Sequence, residues 1–357
     1  MNKYWDASAG SSQSLQTRPP WRKSVTGGPP RCQLRQTIAI APLLLENDAS
    51  IIPEAAVQLP VLPAAGFAAH PSRQDASVNW DRAADVGRLE ARYVRRCPDY
   101  FVVYLSVQTG CAQACRMCHL TATGQTRLRD ATFAELIEQA QTVLDYYQLQ
   151  APARTVHFDF MARGEPLASR VLITDADRLL GELARMATAL RLRPRHLVST
   201  IYPREMGDRP LEDVFVTHHP DIHYSIYSMS ERFRRRWLPK ALPAAAALDR
   251  LAAWQRSTHK IITLHHAYIA GENDAEGDVH AICDALESRR LTADVNIVRY
   301  NSPDPACYGV EPPEEVIEHN AAIYRDRLPN ARVSVIARVG YDVAASCGMF
   351  FGPDGRA

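Results

Sequence analysis

Cys111, Cys115 and Cys118 stand in one short run, Gly110-Cys111-Ala112-Gln113-Ala114-Cys115-Arg116-Met117-Cys118-His119. Thiolate is the metal-binding form of cysteine, and three thiolates this close along the chain can serve one centre. The spacing Cys-x3-Cys-x2-Cys suits a four-iron, four-sulfide cube held at three corners, which leaves the fourth iron without a protein ligand. Zinc is a competing occupant, with His119 or a distant residue as fourth ligand. Three unconnected core thiols are the remaining reading, since free cysteine is commonly buried.

The elements around this loop must position it. Residues 100–107 form an apolar, aromatic and β-branched run that reads as a strand, and the cysteine loop follows directly. Thr132-Phe133-Ala134-Glu135 is a capping box, opening a helix with Leu136, Ile137, Ala140, Val143, Leu144 and Tyr147 on one face. A strand is expected near 154–161 and a helix near 175–191, carrying Leu179, Leu183, Met186, Ala187 and Leu190. Further strands fall at 195–201, 222–228, 261–269, 293–300 and 332–339, with helices near 242–257, 275–289 and 313–327. Apolar strands separated by helices of this length describe right-handed βαβ units and a parallel sheet. About six such units are too few for a closed eight-stranded barrel, so the expected fold is α/β, a partial (βα)6 barrel with ligands at the carboxyl ends of its strands.

With 357 residues, 23% of them charged, and a formal net charge of +1, nothing global demands a nucleic-acid partner. No apolar run approaches the ~20 residues that span a bilayer. The eight cysteines are not spread like a disulfide framework and no secretory signal is evident, which fits a reducing cytoplasm. Residues 1–36 carry Lys3, Arg18, Arg22, Lys23, Arg31 and Arg35 against the single acid Asp6, and residues 37–75 are rich in Ala, Pro and Leu without sustained period. Residues 1–85 therefore read as a poorly ordered extension and 86–357 as the core domain.

Several strand ends carry motifs in a recognisable order. They are Ser106-Val107-Gln108-Thr109-Gly110-Cys111, Phe160-Met161-Ala162-Arg163-Gly164-Glu165-Pro166, Val198-Ser199-Thr200, Tyr224-Ser225-Ile226-Tyr227, Tyr300-Asn301-Ser302-Pro303 and Gly340-Tyr341-Asp342-Val343-Ala344-Ala345-Ser346-Cys347-Gly348. In these the chain, from about Glu90 to Gly348, resembles the radical S-adenosylmethionine (SAM) methyltransferases that modify an adenine of bacterial ribosomal RNA at carbon 2, and their relatives acting at carbon 8. The resemblance implies a [4Fe-4S] cluster on Cys111, Cys115 and Cys118, with SAM on its open iron. It implies that Gly164 and Glu165 meet the SAM amino group. Ser199, Ser225 and Asn301 would bind the carboxylate, ribose or adenine edge, and Ile226 and Tyr227 would flank the cofactor. Cys347 would accept a methyl group from one SAM and present it to a radical made from a second. A thiolate is required for that, so a lowered pKa is expected there. Glu90 would lie near the substrate. The implied partners are RNA, ribosomal or transfer, and a reducing donor such as flavodoxin or ferredoxin, with no membrane.

The match breaks in three places. Tyr104 stands where the family places a second cysteine that resolves the enzyme–RNA adduct, and a phenol can form no disulfide. Cys97 lies seven residues further back. Met117 replaces an aromatic residue before the third cluster cysteine, and the family's amino-terminal RNA-binding domain is not recognisable in residues 1–85. The remaining basic patch is Arg232, Arg234, Arg235, Arg236 and Lys240. These departures keep a second reading open, a radical SAM enzyme on a small-molecule, nucleotide or peptide substrate without the dual-cysteine route. A non-catalytic zinc or RNA-binding protein is a third.

Overall fold

The computed structural model describes residues 66–356. Ten strands form one sheet in which each pairs with its sequence neighbours: β1 (Ala68–Pro71), β2 (Val78–Ala83), β3 (Arg88–Cys97), β4 (Tyr100–Leu105), β5 (Thr155–Asp159), β6 (Arg193–Thr200), β7 (Asp221–Ser225), β8 (Ile262–His266), β9 (Ala293–Val298) and β10 (Val333–Ile336). From β4 to β10 every pairing is parallel, and all seven expected strands are present. Helices Phe133–Tyr147, Ala176–Ala189, Ala244–Thr258, Glu276–Arg289 and Glu314–Arg327 fill the crossovers between these strands. The β6–β7 crossover instead uses two 3-10 turns, Arg204–Met206 and Leu211–Asp213.

The local reasons match the sequence signals. Thr132 and Glu135 make the reciprocal capping box, and Leu136, Ala140, Val143, Leu144 and Tyr147 are buried on one helix face. Leu179, Leu183, Met186 and Ala187 do the same from the next long helix. These faces join one apolar core with the outer residues of the strands, among them Phe101, Val103, Val156, Phe158, Ile222 and Leu264.

Before β4 the expectation needs correcting. Residues 68–83 do not belong to a poorly ordered extension: β1 and β2 pair antiparallel, and β2 continues onto β3 and β3 onto β4. Phe67, Val78 and Trp80 are buried in the main core, which is why the boundary falls well ahead of residue 86. The rest of the expected extension, residues 1–65, lies outside the described residues.

Candidate active site

The loop after β4 carries the three cysteines to the carboxyl rim, where backbone bonds fix it. Cys111 N–H donates to Gln125 O (3.1 Å), Arg116 N–H to Trp237 O (2.9 Å) and His119 N–H to Gly348 O (3.0 Å). One cavity is lined by Cys111, Cys115 and Cys118 together with Gly164, Glu165, Ser199, Ser225, Tyr227 and Cys347. Met117, the replacement for an aromatic residue, is buried and lines it too.

Each wall comes from a strand end. Gly164 has φ +99°, and a Cβ there would stand 2.7 Å from the Gln108 side chain, so the cradle beside the cysteines requires glycine. Glu165 is 4% exposed and accepts from Thr200 Oγ1 (2.5 Å) and from the backbone N–H groups of Leu167 (3.1 Å) and Ile201 (3.2 Å). Burial still pushes its carboxyl up to about 7, and no cation among the described residues offsets this. Ser199 donates to Asp159 Oδ1 (2.9 Å), and burial pushes Asp159 up to about 7 as well. Tyr227 sits at φ +54° with its phenol raised by burial.

Two expected cofactor residues are placed differently. Ile226 is fully buried in the main core, and it fixes the rim through its N–H to His265 O (3.1 Å). Asn301 uses its amide on the Cys347 segment. It donates to Ser346 Oγ (3.1 Å) and Cys347 O (2.9 Å), and its Oδ1 accepts from Arg338 Nε (2.8 Å). Neither side chain lines the cavity.

Glu90 is a larger correction. Its carboxylate has no accessible surface and lines neither the cysteine cavity nor the one inside the barrel. One oxygen accepts from Arg163 Nε (2.8 Å) and Phe351 N–H (3.0 Å), the other from Arg92 Nη2 (2.7 Å) and Asn79 Nδ2 (3.1 Å). Burial pushes this carboxyl up, but Arg163 and Arg92 outweigh it and hold it below the ordinary glutamate value. Arg163, which was not singled out from the sequence, reaches further, to Gln125 Oε1 (2.7 Å) and Phe351 O (2.8 Å), and Arg92 reaches Met349 O (2.7 Å). The network ties β3, the Gly164–Glu165 turn, the cluster loop and the segment after Cys347 into one unit. The one available signal was a charged residue directly before Gly164-Glu165 at an apolar strand end.

Cys347 stands where this cavity meets a second one inside the barrel. The expected lowering of its pKa is not what the surroundings give: burial raises the thiol and outweighs the Arg96 guanidinium. Tyr104 faces the same second cavity. Its hydroxyl accepts from Arg96 Nη1 (3.4 Å), and burial pushes it up to about 12. Cys97 pairs with Tyr100 at the opposite end of the strand pair and lines neither cavity. All seven described cysteines are free.

The donor set fits a cluster. Burial pushes Cys111 up to about 12 and raises Cys115 and Cys118, so these thiols are costly as thiolates until a cationic centre is bound. Among the described residues no three His, Cys, Asp or Glu side chains converge as a single ion would require. A four-iron cube spreads its thiolates over separate corners and needs no such convergence. His119, the alternative fourth ligand, has its Nε2 3.2 Å from Asn301 O and does not line the cavity.

A parallel partial barrel with a three-cysteine loop after its first parallel strand and Gly164-Glu165 after the second has the fold of radical SAM proteins. The fold agrees with that of a radical SAM methyltransferase from Sphaerobacter thermophilus, with a TM-score of 0.67 over 80% of this chain and 81% of that one at 22% identity. The sequence resembles the RNA methyltransferases named RlmN. It is 30% identical to a probable dual-specificity RNA methyltransferase RlmN of Frankia alni over 77% of this chain and 65% of that protein. It is 26% identical to the dual-specificity RNA methyltransferase RlmN of Anaeromyxobacter over 77% and 71%. A probable RNA methyltransferase of Rhodopseudomonas palustris is 28% identical over 74% and 68%. The chain thus spans about two thirds of the length of these relatives. No protein-family model matches it.

Proposed function

We propose that this protein is a radical SAM enzyme that methylates an RNA adenine by way of a methyl group carried on Cys347. One observation carries the reading: Cys347 opens onto the cavity lined by Cys111, Cys115, Cys118, Gly164 and Glu165. When bound, the cluster supplies the electron that cleaves SAM to methionine and a 5′-deoxyadenosyl radical. The chain's own residues do the rest. Cys111, Cys115 and Cys118 hold the cluster, and Glu165 accepts the SAM ammonium, which draws its raised pKa down. Ser199 and Ser225 offer neutral hydrogen bonds to the cofactor, and Tyr227 packs against it. Asn301 holds the Cys347 backbone, and Glu90 positions the same segment through Arg163 and Arg92. RNA as substrate rests on the names of the relatives. A one-electron donor of the flavodoxin or ferredoxin type and a reducing cytoplasm complete the proposal. Among the described residues no helix is long and apolar enough to cross a membrane.

The test uses protein reconstituted with iron and sulfide without oxygen, incubated with SAM and analysed by peptide mass spectrometry. A methyl group on Cys347 is expected. An unmodified Cys347, with 5′-deoxyadenosine still produced, would retire the methyl-carrier reading.

A further inference from the structure

Beneath Cys347 the barrel is hollow. The inward positions of β4 to β10 line a cavity that shares only Met161, His265, Val298 and Cys347 with the cluster cavity. Barrel interiors are ordinarily filled by branched apolar side chains. Here Tyr104, Asp159, His223, His265, Asn296 and Ser334 take those places.

Two groups in this lumen lack what burial normally demands. His223 is 9% exposed, yet its Nδ1 has no hydrogen-bond partner among the described residues. The Nε of Arg96 is likewise buried and unpartnered, and among the described residues Arg96 makes no ion pair. The comparison with its neighbours is direct: Arg195 and Arg332, at the amino-terminal mouth of the lumen, are paired with Asp221 and Asp294. Asp159, on the same lumen, makes no ion pair with Arg96 and gives its Oδ1 to Ser199, so the two interact only at longer range. A half-buried guanidinium without a carboxylate against it is costly unless an anion is to arrive.

We propose that the lumen beneath Cys347 is a second ligand site, taking a small organic oxyanion, carboxylate or phosphate ester, with Arg96 as counter-ion and His223 and His265 as hydrogen-bond partners. At the mouth Arg195 and Lys260 share the single carboxylate of Asp221, and the surplus positive charge favours entry of an anion. Burial holds His265 down to about 4 and His223 well below its ordinary value, so both rings are neutral: His223 offers one donor and one acceptor, whereas His265 accepts from Asn296 Nδ2 at Nε2 (3.3 Å) and offers its Nδ1–H. The bound molecule therefore presents both donors and acceptors beside its anionic group. The site goes beyond the RNA reading and does not depend on it.

Calorimetric titration of the full, cluster-loaded chain with succinate and with adenosine 5′-monophosphate tests the site, with adenosine as uncharged control. At least one anion should bind at one site, about tenfold or more weaker in Arg96→Gln, with SAM affinity unchanged. Binding of neither anion, equal binding in Arg96→Gln, or adenosine binding as tightly as its monophosphate would overturn the proposal. Should Arg96→Gln lose SAM binding as well, His223→Phe decides, since it obstructs the lumen and leaves the guanidinium in place. Unchanged anion binding in that variant sinks the assignment, and lost anion binding with SAM retained upholds it.

Discussion

In the proposed methyl transfer Cys347 supplies the reacting atom and Glu90 belongs to the frame that holds its segment. Cys347 borders the cavity that holds the cluster cysteines, whereas Glu90 lines neither cavity described and spends both oxygens on Arg163, Arg92, Asn79 and the Phe351 N–H. Cys347→Ala should abolish methyl incorporation into protein and RNA while 5′-deoxyadenosine production continues; loss of both together would place Cys347 in SAM cleavage instead. Glu90→Ala leaves two buried guanidinium groups uncompensated, a cost of about 3–5 kcal/mol, read as a large drop in melting temperature. The pH dependence follows from the same bonds. The folded Glu90 carboxyl lies below its ordinary value, so its stabilisation is present above that value and is lost as pH falls through and below it. Acid melting curves of the wild type should steepen below about pH 4.3, and those of Glu90→Ala should be flatter there. From the sequence a lone charge beside a strand reads as a solvated end. The partner that reverses the reading, Arg163, is 73 residues away.

At the scale of elements the parallel strands were legible because each is a short apolar run between helices with clear caps or faces, as Thr132 and Glu135 show. The strands β1 and β2 were not. Their stretch mixes His70, Arg73, Gln74 and Asp75 with a few apolar residues, and its structure comes from pairing with β3 and from contacts near the chain's other end. Ser72 Oγ donates to Asp342 Oδ1 (2.6 Å), Arg73 N–H to Asp342 Oδ2 (2.8 Å) and Gly340 N–H to Asp75 Oδ2 (2.7 Å). These bonds moor the Cys347 segment to the β1–β2 turn. Asp342→Ala removes one mooring without touching either cavity's lining. Methylation of Cys347 should therefore slow several-fold while SAM cleavage uncoupled from methyl transfer is unchanged. An equal fall in both rates would mean that the segment also supports the cofactor pocket. The Gly164 turn makes the converse case: Gly164→Ala drives a methyl into Gln108 at a positive φ, and SAM binding itself should fail.

For the whole molecule, a formal net charge of +1 supplies no general field for a polyanion, so the RNA binding that the proposed function requires has to come from a local patch. The helix Glu231–Trp237 stands at the carboxyl rim, and the carbonyl of Trp237 accepts from Arg116 of the cluster loop. The five basic residues there are not equivalent, and the sequence could not separate them. Arg234 is 3% exposed and caps the Ile226 and Leu242 carbonyls (both 2.8 Å), and Arg236 is paired with Glu272. Arg232, Arg235 and Lys240 are exposed. If RNA docks over the cluster loop, Arg232 and Arg235 neutralise phosphates there. The double variant Arg232→Ala, Arg235→Ala should then bind RNA more weakly and lower the slope of log affinity against log salt by about 1.4, the value for two contacts to a single strand. Methylation of Cys347 and SAM cleavage should be unaffected, because neither arginine lines the cysteine cavity or the barrel lumen. An unchanged salt slope would remove this helix from the RNA-binding face and leave the catalytic assignment standing.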